Sequence, residues 1–211
     1  MNDRDSGSKL QRLGYATVMK IGKSFSGIVL SSDATIMINP SDKSCALKQG
    51  ISAINCSWNR LDEIPFDKMG KPRNQRILPY LLAANSVNYG KPYKMNTAEA
   101  MAASLYILGF KLDAEKLLSS FSSGEEFIRL NFDALEAYSN CRDGLEVKER
   151  SDCFIRLRED YALKKRERVI ENSRLGSYLN EEDFPPVDGD EYDDTEYNDD
   201  GCQAGEGEEG G

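Results

Sequence analysis

One block constrains this chain more than any other: Arg76-Ile-Leu-Pro-Tyr-Leu-Leu-Ala-Ala-Asn-Ser-Val-Asn-Tyr-Gly-Lys-Pro92. It opens as an apolar helical turn, breaks at Asn85 and runs into a loop with two amides, a tyrosine, a glycine and a proline. A helix end leaves backbone hydrogen-bonding groups without partners. Gly90 lets the chain come close to a ligand, and Pro92 stiffens the exit. A second helix start follows in Asn96-Thr97-Ala98-Glu99, a capping box with Asn96 as the cap. Taken alone, the block fits an ordinary helix–loop–helix connection and also fits one wall of a pocket between two helix termini.

The pattern on either side differs. Upstream, Phe25-Ser-Gly-Ile-Val-Leu30 and Ala34-Thr-Ile-Met-Ile38 read as strands around a turn at Ser31-Ser-Asp33, and Ile51-Ser-Ala-Ile-Asn55 as a third, closed by Cys56-Ser57-Trp58. Residues 62–70 read as a loop. After residue 75 the pattern turns helical: Met101, Leu105, Leu108 and Leu112 share one face. Residues 113–121 form a short helix. Ser122-Ser-Gly-Glu125 is a second capping box, leading into a helix with Phe127, Leu130, Ala134, Leu135 and Tyr138 inward. Strands first and helices later predict one α/β domain over residues 1–140. A long charged helix is expected over 147–173, within a segment 141–179. A solvated, ion-paired helix and an RNA-contacting arm both fit it.

Charge is divided unevenly. The segment 180–211 carries 14 acidic residues and no basic one, so it counts −14 against +5 for residues 1–179. Such a tail cannot bury enough apolar surface to offset its ordering entropy, and is expected to be disordered. A mildly basic body suits a polyanionic partner. The five cysteines form no Cys-x-x-Cys pair, so reduced thiols are expected rather than disulfides or zinc. Histidine is absent, which removes Ser-His-Asp and Cys-His catalysis and any histidine metal site. No long apolar span or signal-peptide core is visible, so a soluble intracellular chain without membrane or metal is expected.

Four stretches together resemble the 18S rRNA aminocarboxypropyltransferases. Ser6-Gly7-Ser8-Lys9-Leu10, with Arg12-Leu13-Gly14, is similar to the end of the family's Asp-Pro-x-x-Cys-(Ser/Thr)-Gly-Lys-x-Leu motif. Asn55-Cys-Ser-Trp58 stands where the family has Asp-Cys-Ser-Trp. Leu78-Pro-Tyr-Leu-Leu-Ala-Ala-Asn-Ser-Val-Asn-Tyr-Gly-Lys-Pro92 is similar to Leu-Pro-x-Leu-x-Ala-Ala-Asn-Pro-Val-Asn-Tyr-Gly-x-Pro, and Thr97-Ala-Glu-Ala-Met-Ala-Ala-Ser-Leu-Tyr106 matches the helix after it. The resemblance covers residues 5–140 and decides the block at 76–92 in favour of a pocket wall.

The resemblance implies a SPOUT-like α/β fold with a knotted cofactor site, and S-adenosylmethionine as cofactor. It implies transfer of the 3-amino-3-carboxypropyl group to N3 of an N1-methylpseudouridine in 18S rRNA of pre-40S particles, by a monomer in the cytoplasm, with the nucleus as a second compartment. Carried over residue by residue, Ser6 holds the carboxylate end of the cofactor. Ile54 and Leu78 touch the nucleoside through their backbones, and Tyr93 and Thr97 flank the pocket at the helix start. Trp58 lies against the methyl and sulfonium, where an aromatic face suits a cation. Arg73, Arg76, Lys91 and Lys94 are expected at rRNA phosphates.

Two departures stand out. Asn55 occupies the position of the family's carboxylate, the candidate general base for the uridine N3 proton. An amide cannot take that proton at neutral pH, although it can orient the base. The chain also begins almost inside the first motif, with Asp5 at the cysteine position, so a first strand is expected to be missing. Three rivals follow: a catalytically weak or inactive assembly factor of the same fold, a methyltransferase of the same fold class, and an adaptor acting through its acidic tail.

Overall fold

The computed structural model describes residues 5–20, 23, 25–54 and 71–176, with side chains as far as Glu171. Asn55, Trp58, the loop expected at 62–70 and the acidic tail at 180–211 lie outside the described residues. The chain divides into a unit Met1–Lys165 and a unit Arg166–Gly211. Of the second, the described part is the helical stretch 166–176.

Three short parallel strands form the sheet of the first unit, β1 (Ile28–Leu30), β2 (Ile51–Ala53) and β3 (Gln75–Arg76), in the order β2-β1-β3. Val29 sits between Ser52 and Gln75, and Leu30 between Ala53 and Arg76. β1 is buried along its whole length, as the central strand of a parallel sheet covered on both faces must be. Parallel strands need a crossover. Between β1 and β2 it is made by a 3-10 turn (Pro40–Asp42) and helix α2 (Lys43–Gln49). Helix α1 (Ser6–Arg12) precedes the sheet, capped by Asp5 and anchored by the buried Leu10.

Helix α3 (Thr97–Ile107) is the centre of the core. Its alanines 98, 102 and 103 are fully buried, and these small side chains let neighbouring elements approach closely. The expected capping box is formed in full: Asn96 accepts from the Glu99 amide, and Glu99 accepts from the Asn96 amide. α4 (Lys111–Leu118) and α5 (Gly124–Ser139) pack against α3. α6 (Gly144–Gly176) starts against the core through Val147 and Ser151, both fully buried, and through Phe154, whose ring meets that of Tyr138 edge-on at 5.8 Å.

The structure corrects the pattern reading in four places. Residues 77–84 do not form a helical turn: none of them is helical, 79–84 are buried, and the next helix along the chain begins only at Thr97. Residues 34–38 are not a strand beside β1; Met37 makes one parallel bridge to Ile77. Ser123 precedes α5 without a side-chain cap, because its backbone, at φ −94° and ψ 7°, is not in the extended conformation that aims a capping oxygen at the first amides of the helix. Leu112 is exposed, because α3 ends at Ile107 and Gly109, at φ 82°, redirects the chain before α4 starts.

Candidate active site

All three strands end on the same edge of the sheet, and a cavity of about 430 Å³ opens there. Ligands of open parallel sheets bind outside the carboxyl ends of the strands, where the loops diverge. Here Leu30 and Ser31 follow from β1, Ala53 and Ile54 from β2, and Arg76, Ile77 and Leu78 from β3. Asp5 and Ser6 line the side near α1. Asn85, Val87, Asn88, Tyr93 and Thr97 close the other side, before and at the start of α3.

The second wall is a hairpin-like return of the chain. Ala83 donates to the Lys91 carbonyl at 3.0 Å and accepts from the Gly90 amide at 2.7 Å, while the Tyr93 amide donates to Leu81 at 3.0 Å. Asn85 holds the bend: its Oδ1 accepts from the Asn88 amide at 3.1 Å. Gly90 takes φ 72°, which a glycine adopts without steric cost. Tyr93 takes φ 61°, a conformation that bulky residues rarely adopt. Its ring packs edge-on against Tyr80 at 5.7 Å.

The buried stretch 79–84 meets its backbone hydrogen-bonding needs through side chains of distant elements. Ser151 Oγ accepts from the Tyr80 amide at 2.9 Å, and Tyr138 donates its hydroxyl to the Tyr80 carbonyl at 2.9 Å. Asn131 accepts from the Leu82 amide at 2.7 Å and donates to its carbonyl at 2.9 Å. Glu99 Oε1 accepts from the Ala84 amide at 3.0 Å. An unpartnered buried amide or carbonyl is costly, so these side chains fix the path of the wall.

Electrostatics at the cavity are largely internal. Arg76 forms a bidentate pair with Asp42 at 2.7 and 2.8 Å, with the two side chains 13% and 6% exposed. Its Nη1 donates to the carbonyls of Arg73 and Gln75. The expected phosphate contact at Arg76 is therefore corrected: its fork is occupied within the fold. Burial, with Tyr80 and Asp152 nearby, holds the Tyr93 phenol above its ordinary value, so it stays protonated and is no base at neutral pH. Among the described residues there is no cluster of three or more His, Cys, Asp or Glu that could hold a metal ion.

Five of the residues singled out in the sequence, Ser6, Ile54, Leu78, Tyr93 and Thr97, line this one cavity. Asn55, next to Ile54 in sequence, and Trp58, three positions further on, lie outside the described residues.

Residues 28–155 match the family model described as "Ribosome biogenesis protein, C-terminal". The chain is 39% identical over 150 residues to the 18S rRNA aminocarboxypropyltransferase of Schizosaccharomyces pombe, covering 71% of this chain and 52% of that one. It is 42% identical over 131 residues to the 16S rRNA aminocarboxypropyltransferase of Methanosphaera stadtmanae, covering 62% of this chain and 76% of that one. The chain belongs to the rRNA aminocarboxypropyltransferase family. A solved structure, the SAM-dependent rRNA:acp-transferase of Vulcanisaeta distributa, superposes with a TM-score of 0.61 at 34% identity, over 73% of this chain and 89% of that one. The match to the Schizosaccharomyces pombe relative spans about half of that protein's length.

Within this family framework, sequence reasoning missed Glu99 as more than a cap and missed Asn131, Tyr138 and Ser151 as anchors of the wall. For Asn131, a signal was available: an amide among the inward positions of an amphipathic helix needs a buried polar partner.

Proposed function

We propose that the cavity binds S-adenosylmethionine and that the protein transfers its 3-amino-3-carboxypropyl group to N3 of an N1-methylpseudouridine in 18S rRNA. The acceptor would be presented by pre-40S particles in the cytoplasm, and the protein would act as a monomer. A SPOUT-like knotted fold goes with this reading. One observation carries it: Ser6, Ile54, Leu78, Tyr93 and Thr97, far apart in sequence, line a single cavity at the strand ends.

The cavity fits such a ligand. Its volume of about 430 Å³ lies within the range of small-molecule sites, and apolar strand ends face polar backbone at its rim. In this reading Ser6 takes the carboxylate end, the backbones of Ile54 and Leu78 meet the nucleoside, and Tyr93 and Thr97 close the pocket at the start of α3. Trp58 covers the methyl and sulfonium. When bound, the sulfonium supplies an electrophilic carbon on its amino-acid arm. The protein's part is to turn that arm toward the acceptor and to orient the acceptor's N3–H. Asp5 is the one carboxylate among the described lining residues, and it is engaged in capping α1 at the Gly7 and Ser8 amides. Orientation of the acceptor then falls to Asn55.

Calorimetry with S-adenosylmethionine, followed by mass spectrometry of small-subunit rRNA nucleosides from cells with and without the protein, tests the reading. Binding and an aminocarboxypropyl mass increment are expected. A methyl increment would point to a methyltransferase instead. Asn55 in place of the family's carboxylate favours a second reading, a binding-competent assembly factor with weak turnover. Binding without any modified nucleoside would select it.

A further inference from the structure

Glu99 is 1% exposed and lies behind the cavity, between two of its walls. Three N–H donors converge on its carboxylate: the Ala84 amide on Oε1 at 3.0 Å, and the Asn85 side chain and the Asn96 amide on Oε2, each at 2.8 Å. A capping box needs only the last of these. The other two reach across to the chain reversal at 84–85. Asn85, Asn96 and Ala100, all in contact with Glu99 or beside it in sequence, line the cavity.

A carboxylate accepts all three bonds, whereas a glutamine must turn an N–H toward at least one donor. The site therefore requires the acceptor-only form, which brings a negative charge. That charge has a consequence for the ligand. The start of α3 faces the cavity through Asn96, Thr97 and Ala100, and a helix N-terminus carries a partial positive charge that disfavours a cation. Glu99, in the first turn, offsets it. Of the charged groups that line the cavity itself, Arg76 is compensated by Asp42, Lys94 lies at the exposed rim, and Asp5 caps α1 on the opposite side.

We propose that Glu99 is a positioning residue with a second role: it ties the 84–85 wall to the start of α3, and its charge makes the cavity favour a cationic ligand over the neutral thioether of the same shape. This rests on the reading of the cavity as the S-adenosylmethionine site.

The test is calorimetry on the full chain with S-adenosylmethionine and with S-adenosylhomocysteine, which keeps the adenosine and the amino-acid arm but lacks the methyl and the sulfonium charge. Wild type, Glu99→Gln and Glu99→Asp are compared. Glu136→Gln, which removes the pairing of Lys111 and Tyr106 near the other end of α3, controls for lost stability. Losing one charge-assisted bond is expected to weaken S-adenosylmethionine binding by about tenfold in Glu99→Gln, and S-adenosylhomocysteine binding by less. Glu99→Asp keeps the charge with a shorter reach, so both affinities fall together and their ratio stays that of wild type. This variant carries the test if Glu99→Gln does not fold. Glu136→Gln leaves both affinities unchanged. An equal loss for both ligands in Glu99→Gln overturns the charge role, and so does a changed ratio in Glu99→Asp. Unchanged affinities in Glu99→Gln, or losses in Glu136→Gln that match it, overturn the proposal while leaving the site reading standing. Wild type that binds neither ligand overturns both.

Discussion

Asn131 pairs with Leu82 as a neighbouring strand would. Its side-chain amide accepts from the Leu82 amide at 2.7 Å and donates to the Leu82 carbonyl at 2.9 Å, and it also donates to Phe127, one turn back on α5. One buried side chain thus replaces a strand partner for the stretch that carries the cavity wall. Asn131→Leu keeps the volume but strands both backbone groups of Leu82. The expected cost is about 2–6 kcal/mol, from about 1–3 kcal/mol for each of the two buried groups left unpartnered. Denaturant unfolding measures it, and a loss below the error of that method would mean that water satisfies Leu82 instead.

Arg76 and Asp42 form the second long-range tie, between β3 and the turn before α2. Arg76→Ala leaves the buried Asp42 carboxylate without its cationic partner, with Asn39 still donating to Oδ2, at an expected cost of about 3–5 kcal/mol. The double variant with Asp42→Ala should recover part of that loss, because no uncompensated charge remains. A stability close to wild type for Arg76→Ala alone would return the guanidinium to an external role, such as the phosphate contact expected from the sequence.

These ties explain what the sequence disclosed and what it did not. The apolar run of β1, the capping box at Asn96 and the inward face of α5 are local patterns, and each was visible. The path of residues 77–84 was not, because its apolar run resembles a helix start and its partners lie some 50 to 70 positions downstream in α5 and α6. The inward position of Asn131 on α5 signals a buried polar partner without saying which, and Ser151, on a helix charged along most of its length, leaves no periodic trace. Ser6, Ile54, Leu78, Tyr93 and Thr97 came from motif resemblance, since no spacing rule joins residues on separate strand ends and loops.

Tyr93 holds φ 61° beside the cavity. A non-glycine residue there costs on the order of 1–3 kcal/mol unless its side chain tolerates the left-handed region, as asparagine does. Tyr93→Asn relieves that strain but loses the edge-on contact with Tyr80, worth about 0.5–1.5 kcal/mol. The melting temperature should therefore be unchanged or higher, while S-adenosylmethionine binds several-fold more weakly. A large drop in melting temperature would show that the ring matters more to the fold than to the pocket.

Burial raises the pKa of the Tyr138 phenol above its ordinary value of 10.0, and its hydroxyl donates to the Tyr80 carbonyl. A folded pKa above the unfolded one means that the stabilisation is fully present below pH 10 and is lost as pH rises toward the folded value. Thermal melts should thus fall steeply above about pH 10. Tyr138→Phe should be less stable at neutral pH, having lost the bond to Tyr80, yet flatter in the alkaline range. An equally steep alkaline fall in that variant would assign the transition to other groups, Tyr106 foremost, whose pKa is also raised, chiefly by burial and then by its bond to Glu136.

Asn55 is where chemistry, rather than folding, is at stake. An amide has no proton-accepting form at neutral pH, so in the proposed reaction the acceptor N3–H would lose its proton to water or hydroxide, with Asn55 left to orient the ring. Asn55→Asp restores a carboxylate directly after Ile54, which lines the cavity. A positioned general base is worth roughly 100-fold or more, so the rate of aminocarboxypropyl transfer to the rRNA should rise by about that factor, with S-adenosylmethionine affinity little changed. Single-turnover transfer followed by nucleoside mass spectrometry reads both the rate and the product. Equal rates for the two proteins would mean that deprotonation does not limit transfer and that the side chain at 55 serves only to orient the acceptor.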